Sequence, residues 1–147
     1  MKHYQRILVP VDFSEMGDVV LEQAQAAATA YHAQLTLLHV VQDIPPSLEP
    51  FGETSGLILN GELEQQLLED AAEKMRQLAE KLGLPAEAAQ VEMGIDTTDT
   101  ILQVAADSHF DLIVIGHSGK KGFFGLLGST ATAVVKSATC DVLVVRR

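Results

Sequence analysis

Three glycines and a serine–threonine pair form the segment of this chain whose spacing is best suited to chemistry. The pattern runs G-x2-G-x8-G-S-T, from Gly116 through Gly119 and Gly128 to Ser129 and Thr130. It starts where an apolar run ends and leads into a segment with helical character. Glycines let the backbone come close to an anion, and free N–H groups at a helix start point towards its charge. The pattern therefore predicts a cradle for the phosphates of a nucleotide.

Two other phosphate-binding motifs are excluded for this segment. A P-loop needs a glycine-lysine-serine/threonine triplet, which the chain lacks. The G-x-G-x-x-G dinucleotide fingerprint would follow the first strand of the fold rather than the fourth. Because loops and helix caps also use glycine and serine, the interpretation depends on where the fold places the segment.

Asp12 is the second candidate, because it ends the first apolar run in the segment Pro10-Val11-Asp12-Phe13-Ser14. A carboxylate at that place can accept hydrogen bonds from an adenine amino group or a ribose hydroxyl. It can also help to hold a metal ion that bridges phosphates. The alternative is an N-cap for the helix predicted over 15–31, for which Ser14 is better placed. We favour the ligand role for Asp12.

Other polar residues give weaker indications of chemistry. His117 and Ser118 are adjacent, and adjacent residues rarely orient as base and nucleophile, so no catalytic residue is assigned. His39, inside an apolar run, is interpreted as a core histidine with satisfied hydrogen bonds rather than a ligand. Lys120 and Lys121 could approach phosphate tails, although lysines in exposed loops are more often simply solvated.

The chain contains five short apolar runs separated by segments of helical periodicity. Most of the runs are continuous rather than alternating, which is typical of strands covered on both faces by helices. The predicted order of elements is βαβαβαβαβ. The five runs are 7–11, 35–41, 90–93, 112–115 and 142–145.

This alternation predicts an α/β fold, a single doubly wound, Rossmann-like domain over residues 1–147. We expect a five-stranded parallel sheet of order 3-2-1-4-5 with right-handed crossovers and helices on both faces. Ligands bind such sheets where the strand order reverses, here between the first and fourth strands. Asp12 follows the first of these strands and Gly116 ends the fourth, so both candidates meet at one crevice.

Charge and composition exclude several classes of partner. The net charge is −10, so a nucleic-acid backbone would be repelled over most of the surface. A small phosphorylated ligand can still be held by a local nest of N–H groups. No apolar stretch approaches the roughly 20 residues that span a bilayer, and the start of the chain reads as a strand rather than a signal peptide. We expect a cytoplasmic protein with no membrane partner.

Together these residues resemble the universal stress protein family, small cytoplasmic α/β domains, many of which bind ATP. The resemblance covers essentially the whole chain. It rests on the glycine pattern and on the segments 7–14, 37–41, 111–116 and 140–146. In ATP-binding members the pattern is G-x2-G-x9-G followed by serine or threonine, and here the second spacer, 120–127, is one residue shorter.

The resemblance implies ATP binding in the crevice and a role in stress resistance. Our leading hypothesis is a nucleotide-responsive regulatory protein that binds ATP with Mg²⁺. Pro10, Val11, Asp12 and the backbone of Val40 would line the adenine and ribose. The glycine pattern would hold the ribose and phosphates. The full set of implied ligand-binding positions is Pro10, Val11, Asp12, Val40, Ile115, Gly116, Gly119, Gly128, Ser129 and Thr130.

Two alternatives to the regulatory function stay open. One is a slow ATP hydrolase or phosphotransferase that uses the same pocket. The other is a dimeric interaction protein that does not bind ATP because the shorter spacer spoils the phosphate site. In the regulatory hypothesis, ATP would favour one conformation of either the proline- and glycine-rich stretch 42–59 or the dimer surface.

The last apolar run, Val142 to Val145, predicts a homodimer. It would be an edge strand, and no lysine or proline interrupts it, so its free backbone groups can pair with a second copy. Members of the resembled family usually dimerise through this strand. The alternative is an edge protected by Asp141, Arg146 and Arg147.

Overall fold

Five parallel strands form one sheet in the computed structural model, which describes residues 3–14, 17–43, 61–118 and 127–146. The strand order is β3-β2-β1-β4-β5, so the predicted order 3-2-1-4-5 is confirmed. The strands are β1 (Arg6–Pro10), β2 (Gln34–Gln42), β3 (Ala89–Gly94), β4 (Leu112–Gly116) and β5 (Asp141–Val145).

Helices connect the strands and cover both faces of the sheet, as a parallel sheet requires. None of the helices in the described part of the chain is long and apolar enough to cross a membrane. A short 3₁₀ turn, Ala86–Ala88, leads into β3. The helices are α1 (Gly17–Tyr31), α2 (Glu62–Lys81), α3 (Thr97–Asp107) and α4 (Ser129–Ser137).

The ends of the helices follow local sequence signals. Gly83 stands shortly before Pro85, which predicts a helix stop, and it ends α2 in the left-handed conformation, with φ 71°. The N–H of Leu84 then bonds to the carbonyl of Ala79 at 2.8 Å, which completes a Schellman motif. Asp96 caps α3 by accepting a hydrogen bond from the N–H of Asp99. The apolar spacing of Ile101, Val104 and Ala105 predicts a helix that starts after Thr97 or Thr98, which is slightly late. Asn60, which the sequence predicts as the N-cap of α2, lies outside the described residues.

Two apolar cores sandwich the sheet. On one face, α1 and α2 pack on side chains such as Val9 and Leu37, with Ala24 and Met75 fully buried. On the other face, α3 and α4 pack on Leu8 and its neighbours in β2 and β4. The alternating faces of β1 therefore contribute to both cores.

The register places β1 at the centre of the sheet. Ile7 pairs with Leu35 of β2 on one side and with Leu112 of β4 on the other. The chain leaves β1 for α1 on one face, whereas it leaves β4 for α4 on the opposite face. These connections diverge at the carboxyl ends of β1 and β4 and leave a crevice between them.

Candidate functional site

A cavity of about 620 Å³ opens at this crevice, at the carboxyl end of the sheet. Its volume lies within the range of sites that hold small molecules. Gly119 lies outside the described residues, and every other position named from the sequence lines the cavity. These positions are Pro10, Val11, Asp12, Val40, Ile115, Gly116, Gly128, Ser129 and Thr130.

The turn after β1 presents Asp12 in a defined conformation. Its Oδ1 accepts a hydrogen bond of 2.9 Å from the N–H of Ser14, which makes a local Asx turn. Its second carboxylate oxygen accepts no hydrogen bond from the described residues. The carbonyl of Ser14 accepts the N–H of Gly17, the first residue of α1, at 3.0 Å. Asp12 therefore shapes the turn with one oxygen, and its other oxygen can bind a ligand.

Val40 contributes a backbone edge to the cavity, and no described strand pairs with it on the side of β1. The N–H of Val11 bonds to the carbonyl of Leu38 at 2.7 Å, and β1 does not continue beside the next residues of β2. Backbone groups alternate sides along a strand, and those of Leu38 point towards β1. The N–H and carbonyl of Val40 therefore point to the same side, past the end of β1. They form a donor and acceptor pair at the cavity wall.

The glycine segment is closed at its base by backbone hydrogen bonds. The carbonyl of His117 accepts the N–H of Gly128 at 2.7 Å, and its own N–H bonds to the carbonyl of Val145 at 2.8 Å. These bonds fix the start of α4 beside the end of β4. Gly128 is the N-cap in an extended conformation, with no side-chain cap. The first N–H groups of α4, at Ser129 and Thr130, therefore lack helical partners and lie at the cavity.

The cavity thus combines groups that suit a nucleotide. An anion fits the N–H groups and the positive end of α4, and the backbone pair of Val40 fits the edge of a base. Mg²⁺ is usually bound by one or two carboxylates together with phosphate oxygens, and Asp12 is a carboxylate at the cavity wall. Among the described residues no group of three or more His, Cys, Asp or Glu side chains could hold a metal alone. A metal here would need ligand phosphates as well.

Sequence reasoning missed several lining residues. His39 was interpreted as a core residue, whereas its ring is half-buried, lines the cavity and contacts the carbonyl of Val11. Thr97 and Ile101 reach the cavity from the start of α3, and no local pattern marks them. Position 39 could have been identified, because it precedes Val40 near the carboxyl end of a central strand.

His117 and Ser118, the adjacent pair considered for hydrolysis, do not both line the cavity. Ser118 lines the cavity, but His117 does not, and the backbone of His117 is occupied by β5 and Gly128. The hypothesis of a nucleophile and base at these positions therefore gains no geometric support.

Comparisons with known proteins agree with this architecture. The model of the universal stress protein family matches residues 3–146. Universal stress protein A homolog 2 of Coxiella burnetii is 34% identical over 147 residues, which covers 99% of this chain and 97% of the relative. Universal stress protein MJ0577 of Methanocaldococcus jannaschii has a solved structure that is 30% identical. That structure superposes with a TM-score of 0.74 over 99% of this chain and 98% of the other.

A more distant structure shares the fold and contains a nucleotide. It is a universal stress protein in complex with cAMP, 23% identical, with a TM-score of 0.62. The comparison covers 99% of this chain and 98% of that one. At this identity the likeness concerns the fold.

Proposed function

The chain belongs to the universal stress protein family, and we propose that it is a nucleotide-responsive regulatory protein that binds ATP with Mg²⁺ in the crevice between β1 and β4. The observation that carries this proposal is the cavity of about 620 Å³, which combines a free strand edge with a helix N-terminus. Open α/β sheets bind ligands at the carboxyl ends of strands where the strand order reverses, and helix N-termini bind phosphates.

The base would lie against β2. Adenine offers an amino donor next to a ring nitrogen acceptor, and the N–H and carbonyl of Val40 offer the complementary pair. In the orientation that adenine would take, guanine presents a carbonyl and a ring N–H at the same edge, so donors would face donors and acceptors would face acceptors. This geometry supports adenine over guanine.

The phosphates would lie at the start of α4, at Gly128, Ser129 and Thr130. The net charge of −10 opposes anions elsewhere, so local N–H groups must supply the attraction. Mg²⁺ would bind phosphate oxygens and Asp12, and its chemistry there is charge neutralisation. The free oxygen of Asp12 supports this arrangement.

A regulatory role fits the site better than catalysis. Among the described residues that line the cavity, His39 is the one imidazole, and its Nδ1 is engaged by the carbonyl of Val11 at 2.6 Å. A ligand then acts by its differential affinity for two conformations of the protein. We place this single domain in the cytoplasm and in stress resistance on the basis of the family.

A homodimer through β5 is part of the proposal. Among the described residues β5 pairs with β4 alone, and Leu143 leaves 40% of its surface exposed. A second copy would cover the free backbone groups and this side chain together. Sedimentation equilibrium tests the dimer, and we expect Val144→Pro to shift the protein to monomer because proline cannot donate to a ladder.

Thermal unfolding of protein freed of nucleotide tests ligand binding. Mg-ATP at a hundred times its Kd should add about 2.7 kcal/mol, which corresponds to a rise in Tm of about 5–10 °C for a domain of this size. Mg-GTP and AMP serve as controls, and cAMP is included because a structural neighbour holds it.

The pattern of shifts decides the function. A selective rise with Mg-ATP supports the proposal, and a rise with cAMP alone would redirect it to a cyclic nucleotide. No rise at millimolar concentrations of any nucleotide would reject the site and favour a dimeric interaction protein. If Mg-ATP binds, measured turnover well above the buffer rate would favour the hydrolase alternative.

A further inference from the structure

At the turn that carries Asp12, the ring of Phe13 contacts side chains from two other parts of the chain. The Nδ1 atom of His39, on β2, lies 2.6 Å from the carbonyl oxygen of Val11. The same imidazole packs on Phe13, with ring centroids 4.6 Å apart and planes inclined by 44°. The ammonium of Lys74, on α2, lies 5.4 Å from the centroid of the Phe13 ring. We call His39, Phe13 and Lys74 the turn stack.

The backbone of Phe13 explains why the turn needs such support. Its φ is 57°, in the left-handed region that bulky residues adopt rarely. Such a conformation persists where the surrounding contacts over-determine it, and it is often found at functional sites. The ring leaves 38% of its surface exposed, so burial in the core does not explain its position. Its described ring contacts are the imidazole and the ammonium.

The hydrogen bond to Val11 fixes the orientation of the imidazole. A carbonyl oxygen only accepts, so the proton of the neutral ring must be on Nδ1. His39 then donates to Val11 and packs against Phe13. Asp12 lies between these two residues in the chain, so one side chain holds both of its neighbours. The hydrogen bond from Ser14 to Asp12 completes the turn.

We propose that His39 is the positioning residue of the nucleotide site. By holding the carbonyl of Val11 and the ring of Phe13, it places the carboxylate of Asp12 at the cavity wall before a ligand binds. Preorganisation of this kind raises affinity because the ligand does not have to order the turn. Lys74 extends the same support to α2. This inference rests on the proposed function of the cavity.

Two substitutions at His39 separate the hydrogen bond from the ring contact. His39→Asn keeps an N–H donor near the place of Nδ1 but loses the ring, whereas His39→Phe keeps a ring and loses the donor. Measured by titration calorimetry, the Kd for Mg-ATP should rise about tenfold in His39→Phe. It should stay within about threefold of the parent in His39→Asn, which is the rescue expected of a positioning role.

Two further variants test the role of the Phe13 ring: Phe13→Asn and, as a control, His109→Asn. Asparagine tolerates the left-handed region, so Phe13→Asn removes the ring without adding backbone strain. We expect its Kd to rise about threefold to tenfold. His109→Asn is the matched control, because His109 is also left-handed, with φ 56°, and does not line the cavity. Its Kd should equal that of the parent.

NMR spectra of the ligand-free parent test the inference independently of binding. Nitrogen shifts should place the proton of neutral His39 on Nδ1, and the carbon shifts of Phe13 should report its left-handed backbone. In His39→Phe the carbon chemical shifts of Phe13 should move towards the values of a conformationally averaged backbone. In His39→Asn they should remain at the values of the parent. Should His39→Phe fail to fold, the parent spectra and Phe13→Asn still decide the question.

The two possible failures have different signatures. A parent that binds no Mg-ATP rejects the proposed function, and the NMR measurements then judge the positioning role alone. A proton on Nε2 would overturn the inference. So would unchanged Kd values in His39→Phe and Phe13→Asn, whether or not the parent binds tightly.

Discussion

The two ends of the sheet use carboxylates in different ways. At the amino end, Asp111 accepts the N–H of Gln5 at 2.9 Å and the N–H of Arg6 at 3.0 Å, which ties β4 to β1. At the carboxyl end, Asp12 accepts only the N–H of its near neighbour Ser14 among the described residues. The first carboxylate joins two strands, while the second leaves one oxygen at a cavity.

The contrast extends to the backbone around each carboxylate. The N–H of Asp111 returns a bond to the carbonyl of Arg6 at 3.0 Å, so this end of the sheet is a closed network. At the other end, Val40 and the first residues of α4 have backbone groups without helical or strand partners among the described residues. Buried backbone groups are usually paired in folded proteins, so unpaired ones around a cavity indicate a place for a ligand. One end holds the sheet together, and the other is the end where we propose that a ligand binds.

The largest expected effect is on stability, from Asp111→Ala. It removes an acceptor shared by two backbone N–H groups, and hydrogen bonds to charged groups are the stronger kind. We expect the free energy of unfolding to fall by about 2–3 kcal/mol in urea titrations. Asp111→Asn keeps one carbonyl oxygen as an acceptor, so its free energy of unfolding should fall by about half as much. If Asp111→Ala instead weakened nucleotide binding and left stability unchanged, the amino end of the sheet would not have the structural role that we assign to it.

The matching change at the carboxyl end is Asp12→Ala, which should weaken ligand binding more than it lowers stability. We expect the Kd for Mg-ATP to rise about tenfold or more, because a charged contact at the ligand is lost, while unfolding changes by less than about 1 kcal/mol. Asp12→Asn keeps an acceptor for Ser14 but not the charge, so it should bind as weakly as Asp12→Ala if the charge contacts Mg²⁺. Equal affinities for the parent and both variants would remove Asp12 from the site.

The fold could be predicted from the sequence, because its signals are local and repeated. Continuous apolar runs indicate covered strands, helical stripes separate them, and Gly83 marks the end of α2 as expected. The parallel order then follows from the handedness of crossovers. The boundaries were less accurate: Val11 lies beyond the end of β1, and Asp96 rather than a threonine caps α3.

The site was only partly predictable, because some lining residues are set by tertiary contacts. Gly116 and Asp12 stand at strand ends and could be located from topology alone. Thr97 reaches the cavity through the packing of α3, and the left-handed backbone of Phe13 has no sequence signature. The role of His39 depends on its distance to Val11, a residue 28 positions away. Such contacts cannot be derived from periodicity.

A smaller effect on stability is expected from Tyr4→Phe, which tests the closed end by its pH dependence. The Tyr4 hydroxyl donates to Oδ2 of Asp141 at 2.6 Å. This hydrogen bond, together with desolvation, raises the pKa of Tyr4 from 10.0 to about 12. Loss of the bond should cost about 1 kcal/mol at neutral pH.

The sign of the pH effect follows from linkage. A raised folded pKa means that the folded protein keeps the proton longer than the unfolded chain, so the stabilisation is complete below pH 10 and is lost towards pH 12. The difference in unfolding free energy between the parent and Tyr4→Phe should therefore be constant from pH 7 to pH 9 and shrink above pH 10. A constant difference up to pH 12 would show that the Asp141 bond does not control this hydroxyl.

The smallest effect is expected from Arg6→Met, although Arg6 is charged and lies at the closed end. Its guanidinium carbon lies 4.8 Å from the centroid of Phe110, an interaction worth about 0.5–1 kcal/mol. Its Nε is buried and has no hydrogen-bond partner among the described residues, which is a cost that methionine removes. The two effects oppose each other, so we expect the free energy of unfolding to change by less than about 0.5 kcal/mol. Arg6→Ala also loses the packing of the stem and should cost more. If Arg6→Met instead cost as much as Asp111→Ala, the arginine side chain rather than the paired backbone would close this end of the sheet.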